Sequence, residues 1–213
     1  MRFDTWEPVY ELLLADLGFD RAGDEGARAR LARWAEPFDT DRLGFADASV
    51  AVVAPGPSLA VEVDRLDGAD RTVAASNAAD RLLETGRRPD LVVTDLDKTP
   101  ATSARLSQAG VPVAVHAHGD NVPALDRWLP EHDPAAVLAT TQAAPVGPVV
   151  NYGGFTDGDR AAFLADALGA ADLRYVGWDL DDPTVDDAKA AKLAWARRLL
   201  RWLAARRDES FDE

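Results

Sequence analysis

From about residue 48 the chain alternates short apolar runs with stretches of helical periodicity. The runs are Ser49–Ala54, Thr72–Ala75, Leu91–Thr94, Val113–His116, Ala136–Ala139, Val149–Asn151 and Arg174–Gly177, most of them closed by small or polar residues. Consecutive apolar positions, rather than every second one, predict strands buried on both faces. That pattern implies an α/β fold: a mainly parallel sheet flanked by helices in a Rossmann-like, three-layer arrangement. Two amphipathic segments come first. Asp4 to Leu17 sets Trp6, Val9, Tyr10, Leu13 and Leu17 at helical spacing with Gly18 as a stop, and Glu25 to Ala35 carries Leu31 and Trp34 among arginines. The organisation expected is a helical N-terminal extension over residues 1–45 and an α/β catalytic domain over 46–213, ending in a long helix from Asp186 to about Arg206.

Composition narrows the function classes. With 47% hydrophobic and 28% charged residues, the 213-residue chain can bury a full core. No apolar run nears the roughly 18 residues of a membrane span, and Met1-Arg2-Phe3-Asp4-Thr5-Trp6 is not a signal peptide, so a cytoplasmic protein is expected. The absence of cysteine excludes disulfides, thiolate metal sites and cysteine nucleophiles. A net charge of −14 disfavours nucleic acid and anionic membranes as partners. The acids are 28 Asp against 9 Glu, and the bases are 20 Arg against three Lys, namely Lys98, Lys189 and Lys192. Such a surface suits a halophilic cytosol, where a Debye length of ~3 Å screens self-repulsion. It also makes any single aspartate a weak pointer to function.

Ligands of open parallel sheets bind beyond the carboxyl ends of the strands, so the residues following each run carry the information. Pro55-Gly56-Pro57-Ser58 suits either close backbone approach to a ligand or a plain tight turn, and it has neither dinucleotide nor Walker spacing. Asp95 and Asp97, alternate residues leaving a strand, are expected to face one Mg²⁺. Two such charges ~4 Å apart repel by about 4 kcal/mol at an effective dielectric of 20, which a cation relieves; a turn cap is the alternative. His116 and His118 suit either a transition metal or a division of labour in which one contacts phosphate and the other packs. His132 lies in a loop-like stretch, a poor source of a further ligand. Gly153-Gly154-Phe155-Thr156-Asp157-Gly158-Asp159-Arg160 opens a helix; the two glycines imply close backbone approach to a ligand and Arg160 adds a cation one turn in, with a well-made cap as the alternative. Lys189 and Lys192 share a helix face and suit a nucleotide phosphate, or else a pairing with Asp186 or Asp187.

These strings, in this order, resemble the archaeal 6-hydroxymethyl-7,8-dihydropterin pyrophosphokinase family. The resemblance runs from Trp6-Glu7-Pro8 through Pro89 to Asp97, His116 to Asn121, Thr140 to Gln142, Asn151 to Arg160, Gly177-Trp178-Asp179 and Lys189 to Leu193. The Pro89–Asp97 segment is also similar to thiamine pyrophosphokinases. The resemblance implies transfer of diphosphate from ATP to the pterin hydroxymethyl group with release of AMP, in tetrahydrofolate or methanopterin synthesis. It implies Mg²⁺ on Asp95 and Asp97 first, then Asp157 and Asp159, with Asp120 and Asp179 as ligands or orienters. Arg160, Lys189 and Lys192 would neutralise phosphate charge, and Asp120 or His118 would act as base. Gly56, Pro57, Ser58, Asn77, Thr141 and Gln142 are nucleotide contacts by the same token, and Asn121, Gly154, Phe155, Trp178 and Asp179 are pterin contacts. Ala75-Ser76-Asn77-Ala78 departs from the family, which commonly has an acidic residue and glycine there. The partners implied are ATP and a reduced pterin alcohol, without nucleic acid or membrane and with room for a homo-oligomer. The rival readings are a motility-associated glycosyltransferase, a His-x-His metallohydrolase and a non-catalytic nucleotide-binding regulator.

Overall fold

In a computed structural model, which describes residues 1–211, six of the seven apolar runs are strands. They are β1 (Ser49–Val53), β2 (Arg71–Ala75), β3 (Leu91–Thr94), β4 (Val113–Ala117), β5 (Val137–Thr141) and β6 (Asp172–Val176). All pair in parallel, in the order β5-β4-β3-β2-β1-β6. The seventh run, Val149–Asn151, was expected as a strand and makes only isolated bridges, Thr140 with Val150 and Val146 with Val149. Pro145 and Pro148 supply no backbone N–H, and Gly147 turns the chain at φ 55°, so too little chain remains for a ladder.

The helices α3 (Leu59–Glu62), α4 (Ala78–Glu84), α5 (Pro100–Gln108) and α6 (Val122–Trp128) connect β1 to β5 in spatial sequence. Only α7 (Asp157–Ala167) reverses direction, leading from β5 back across the sheet to β6 at the opposite edge. Parallel crossovers are right-handed almost without exception, so the reversal sends α7 to the other face. The side chains follow. Val50, Val52, Val73 and Val93 join residues of α7, α8 (Asp187–Arg206) and α1 (Phe3–Leu17) in one buried cluster. Ala51, Val53, Ala74 and Val92 join residues of α3 to α6 and of α2 (Arg21–Ala32) in a second. Residues before 46 thus contribute to both cores: Trp6, Tyr10 and Leu13 to one, Ala27 and Leu31 to the other. Each fully buried leucine among them is worth about 1.5–3 kcal/mol of burial.

Helix α1 stops at Gly18, which takes φ 70° as its C-cap. Helix α2 starts four residues before the expected Glu25, because the Asp20 side chain accepts the Ala22 N–H at 3.1 Å and caps it there. At the far edge, Val53 pairs with Val176, so the loops after β1 and β6 emerge side by side and then leave toward opposite faces. That divergence is the topological switch point of the sheet.

Candidate active site

The turn after β3 creates the first half of an acidic cluster. Leu96 takes φ 67° and buries its side chain in the core, while the Asp95 carboxylate accepts the Asp97 N–H at 3.1 Å. Asp95 and Asp97 therefore converge through a left-handed turn, not through strand alternation as the sequence suggested. The first residue of α7 completes the cluster: one carboxylate oxygen each of Asp95, Asp97 and Asp157 lies within 4.8 Å of the others. Burial, reinforced by the charge of Asp95, pushes the Asp157 carboxyl up to about 8. Burial and the hydrogen bond with Asp95 push Asp97 up to about 6. Burial also opposes ionisation of Asp95, but hydrogen bonds with His118 and Asp97 outweigh it and hold that carboxyl well below the usual range. Three acids so crowded are held against their own repulsion, and an all-oxygen set of this kind fits a hard divalent cation such as Mg²⁺.

Asp159, expected as a fourth ligand, is turned away. It is fully buried, and its carboxylate accepts the Phe155 N–H, the Thr156 N–H at 3.1 Å and the Thr156 hydroxyl at 2.8 Å. It is the capping carboxylate of α7. Gly154 belongs to the same cap: at φ 89° a Cβ there would sit 2.6 Å from Arg160 Cα, so its freedom serves helix packing rather than ligand approach. Arg160 points into the site and donates to Asp157 at 3.1 Å and to Gln142 Oε1 at 3.2 Å.

The two histidines part company. His118 Nε2 lies 3.3 Å from Asp95 Oδ2, at the cavity wall. His116 is buried with Nδ1 3.0 Å from the Thr140 hydroxyl, and burial, then Arg160, hold its pKa well below the usual range. A metal shared by the pair, as the metallohydrolase reading required, is not what this geometry offers. His132 is likewise buried, with Nε2 3.1 Å from Ser103 Oγ and Nδ1 2.8 Å from the Trp128 carbonyl. Asn121 is no pterin contact: its oxygen accepts the His118 N–H at 3.0 Å, and its amide donates to the Asp95 and His116 carbonyls at 2.8 and 2.7 Å. It ties the β3 turn to the β4 turn. Thr141 is also structural, donating to the Ala117 carbonyl and accepting from Ala143 N–H.

Around the cluster opens a cavity of about 750 Å³ at the carboxyl rim, within the size range of small-molecule sites. Gly56, Pro57, Asn77, Asp120, Gln142, Phe155, Trp178 and Asp179 line it. Ser58 does not: its N–H and hydroxyl both donate to Asp179 Oδ2, at 2.9 and 2.8 Å, clasping the β1 loop to the β6 loop. A Cβ at Gly56 would collide with the Asp179 carboxylate and the Gly177 carbonyl, so that glycine is demanded by the clasp. Trp178 donates its indole N–H to the Val52 carbonyl at 2.9 Å and lies over Gly158 at the start of α7. Lys189 and Lys192 line it from α8, and Lys98 joins them, so all three lysines of the chain border one cavity.

The family described as 6-hydroxymethylpterin diphosphokinase MptE-like matches residues 31–184. Three proteins named 6-hydroxymethyl-7,8-dihydropterin pyrophosphokinase are similar along almost their whole length. The one from Pyrococcus furiosus is 37% identical, covering 95% of this chain and 94% of its own. Those from Methanothermobacter thermautotrophicus and Methanocaldococcus jannaschii are 35% and 27% identical, each covering 95% of this chain and respectively 95% and 96% of their own. The chain belongs to the 6-hydroxymethylpterin diphosphokinase family.

For a member of this family, several residues that face the site were not singled out from the sequence. Phe19 packs 6.1 Å from Phe155, ring to ring, and adds a second aromatic to the cavity wall. Lys98 sits 3.8 Å from Asp97. Asp24 is a buried carboxylate reaching the cavity from α2. Its signal was present: Asp24, Ala27 and Leu31 lie on the buried face of α2, one acid where the helical period demands an apolar residue.

Proposed function

We propose that the chain transfers diphosphate from ATP to the hydroxymethyl oxygen of 6-hydroxymethyl-7,8-dihydropterin, releasing AMP, as a step of reduced-pterin cofactor synthesis. The observation that carries this reading is the Asp95/Asp97/Asp157 cluster at a rim that also collects every lysine of the chain. Three acids would hold Mg²⁺, and three lysines and Arg160 would meet a polyphosphate.

In the reaction the pterin oxygen bonds to the β-phosphorus, the bond from that phosphorus to the α,β-bridging oxygen breaks, and AMP departs with the bridging oxygen. Such transfer needs positioning and charge stabilisation more than covalent participation by the protein. Mg²⁺ held by Asp95, Asp97 and Asp157 would supply charge neutralisation to the phosphate oxygens. Arg160, fixed beside Asp157, counters the charge that develops on the transferred group. Lys98, Lys189 and Lys192 attract the triphosphate electrostatically from the exposed side. Phe19, Phe155 and Trp178 offer aromatic surface for the pterin ring. His118, in contact with Asp95, is the better base for the hydroxymethyl proton; Asp120 is exposed and has no such contact with the cluster.

The test is an incubation with ATP, Mg²⁺ and 6-hydroxymethyl-7,8-dihydropterin, run beside thiamine and across a range of salt concentrations. Pterin-dependent AMP release is expected. Release of ADP, or of phosphate without AMP, overturns the reading.

A further inference from the structure

A file of buried polar side chains runs from the N-terminal helices to the acid cluster. Tyr10 of α1 donates its hydroxyl to Asp24 Oδ2 at 2.7 Å, and Gln142 Nε2 donates to the same oxygen at 2.7 Å. Asp24 Oδ1 accepts the Gly119 N–H at 2.7 Å. From its other end, Gln142 Oε1 accepts Arg160 Nη2, and Arg160 Nη1 reaches Asp157. Trp6 fixes the backbone of Gln142 as well, donating its indole N–H to the Gln142 carbonyl at 2.9 Å. Asp24, Gln142 and Arg160 are 3%, 3% and 7% exposed, so water contributes little to orienting them.

The chemistry of the file has a direction. A primary amide is nearly symmetric in shape, and either end would fit toward Arg160. A carboxylate only accepts and a guanidinium only donates, so only one orientation of Gln142 satisfies both neighbours. Turning the amide over would set its NH₂ against the guanidinium and its oxygen against the carboxylate. Among the described residues, Arg160 Nε finds no hydrogen-bond acceptor, so the side-chain hydrogen bonds fixing the guanidinium are those to Asp157 and Gln142.

We infer that Asp24 is a positioning residue for the transfer: it sets the polarity of the Gln142 amide and thereby holds the Arg160 guanidinium beside Asp157. The catalytic part of this inference rests on the function proposed above; the orienting part rests on geometry alone. Residues ahead of the sheet are then part of the active-site machinery.

The test is Asp24→Asn, which keeps the shape but replaces one of the two acceptor oxygens with an NH₂ donor, so that the side chain no longer accepts at both ends. Its kcat is expected to fall about 10- to 100-fold, with the KM for ATP within about threefold and a cooperative melt retained. The ¹⁵N–¹H resonance of Arg160 Nε is expected to shift and lose protection from exchange. Adding Gln142→Glu to Asp24→Asn restores a donor facing an acceptor at both contacts, and is expected to recover most of the lost kcat and the Arg160 resonance. If Asp24→Asn does not melt cooperatively, Gln142→Met carries the same expectation for Arg160. Wild-type kcat together with an unchanged Arg160 resonance in the variant that folds overturns the inference, as does a double variant no better than the single one. If the wild type releases no pterin-dependent AMP, the proposed function fails, and the Arg160 resonance still decides the orienting role.

Discussion

The turn after β3 and the start of α7 carry the same motif, an aspartate, one intervening residue and a second aspartate, and use it oppositely. In Asp95-Leu96-Asp97 the middle residue is left-handed, and the two carboxylates meet. In Asp157-Gly158-Asp159 the three residues are the first turn of a helix, where positions two apart are rotated by about 200°. Asp157 therefore joins the cluster, while Asp159 folds back onto Phe155 and Thr156. Spacing in sequence does not decide what two acids do together. The backbone between them does.

Substitutions separate the two uses. The largest effect is expected from Asp97→Asn or Asp157→Asn, each lowering kcat/KM for diphosphate transfer by at least about 100-fold while the melting transition stays cooperative; unchanged turnover removes that residue from the cluster. Next, saturating Mg²⁺ at about 100 times its Kd is expected to stabilise the wild type by about 2.7 kcal/mol. Calorimetric melting checks this, and Asp97→Asn should lose the shift while Asp159→Asn keeps it. Asp159→Ala leaves buried N–H groups without an acceptor and is expected to cost about 1–3 kcal/mol, read as a drop in melting temperature of about 2–4 °C per kcal/mol. If Asp159→Ala instead abolishes Mg²⁺ binding in a protein that still melts normally, the contrast between the two turns is wrong. The smallest effect falls on the exposed rim: Lys192→Ala is expected to raise the KM for ATP only a few-fold, with kcat nearly unchanged, because such a charge acts through solvent.

The layered fold was legible because strands buried on both faces must be apolar throughout, and Val50 to Val53 or Val113 to Val115 have no other use. Val149–Asn151 is equally apolar, but the prolines around it decide its fate more than its hydrophobicity does. Lys189 and Lys192 were readable as functional since an Arg-rich chain keeps so few lysines and sets these two on one helix face, whereas Lys98 was not. Ser58, Asn121 and Thr141 follow strands and were expected as ligand contacts from the family resemblance; in place, they bind loops to one another. Whether a polar group after a strand faces a ligand or its neighbouring loop depends on a register that spacing does not encode. Asp24 was hidden among 28 aspartates, and only its phase on α2 distinguishes it.

The single backward step in the strand order also has a consequence for synthesis. Strands β1 to β5 can be laid edge to edge as the chain emerges, each beside the last. The acids of the β3 turn are then in hand, but Asp157 and Arg160 arrive only with α7, and β6 must travel back to the starting edge. A chain ending before residue 156 thus carries Asp95 and Asp97 but lacks Asp157 and Arg160, so the acid cluster and its guanidinium are complete only once the final quarter of the sequence has been made.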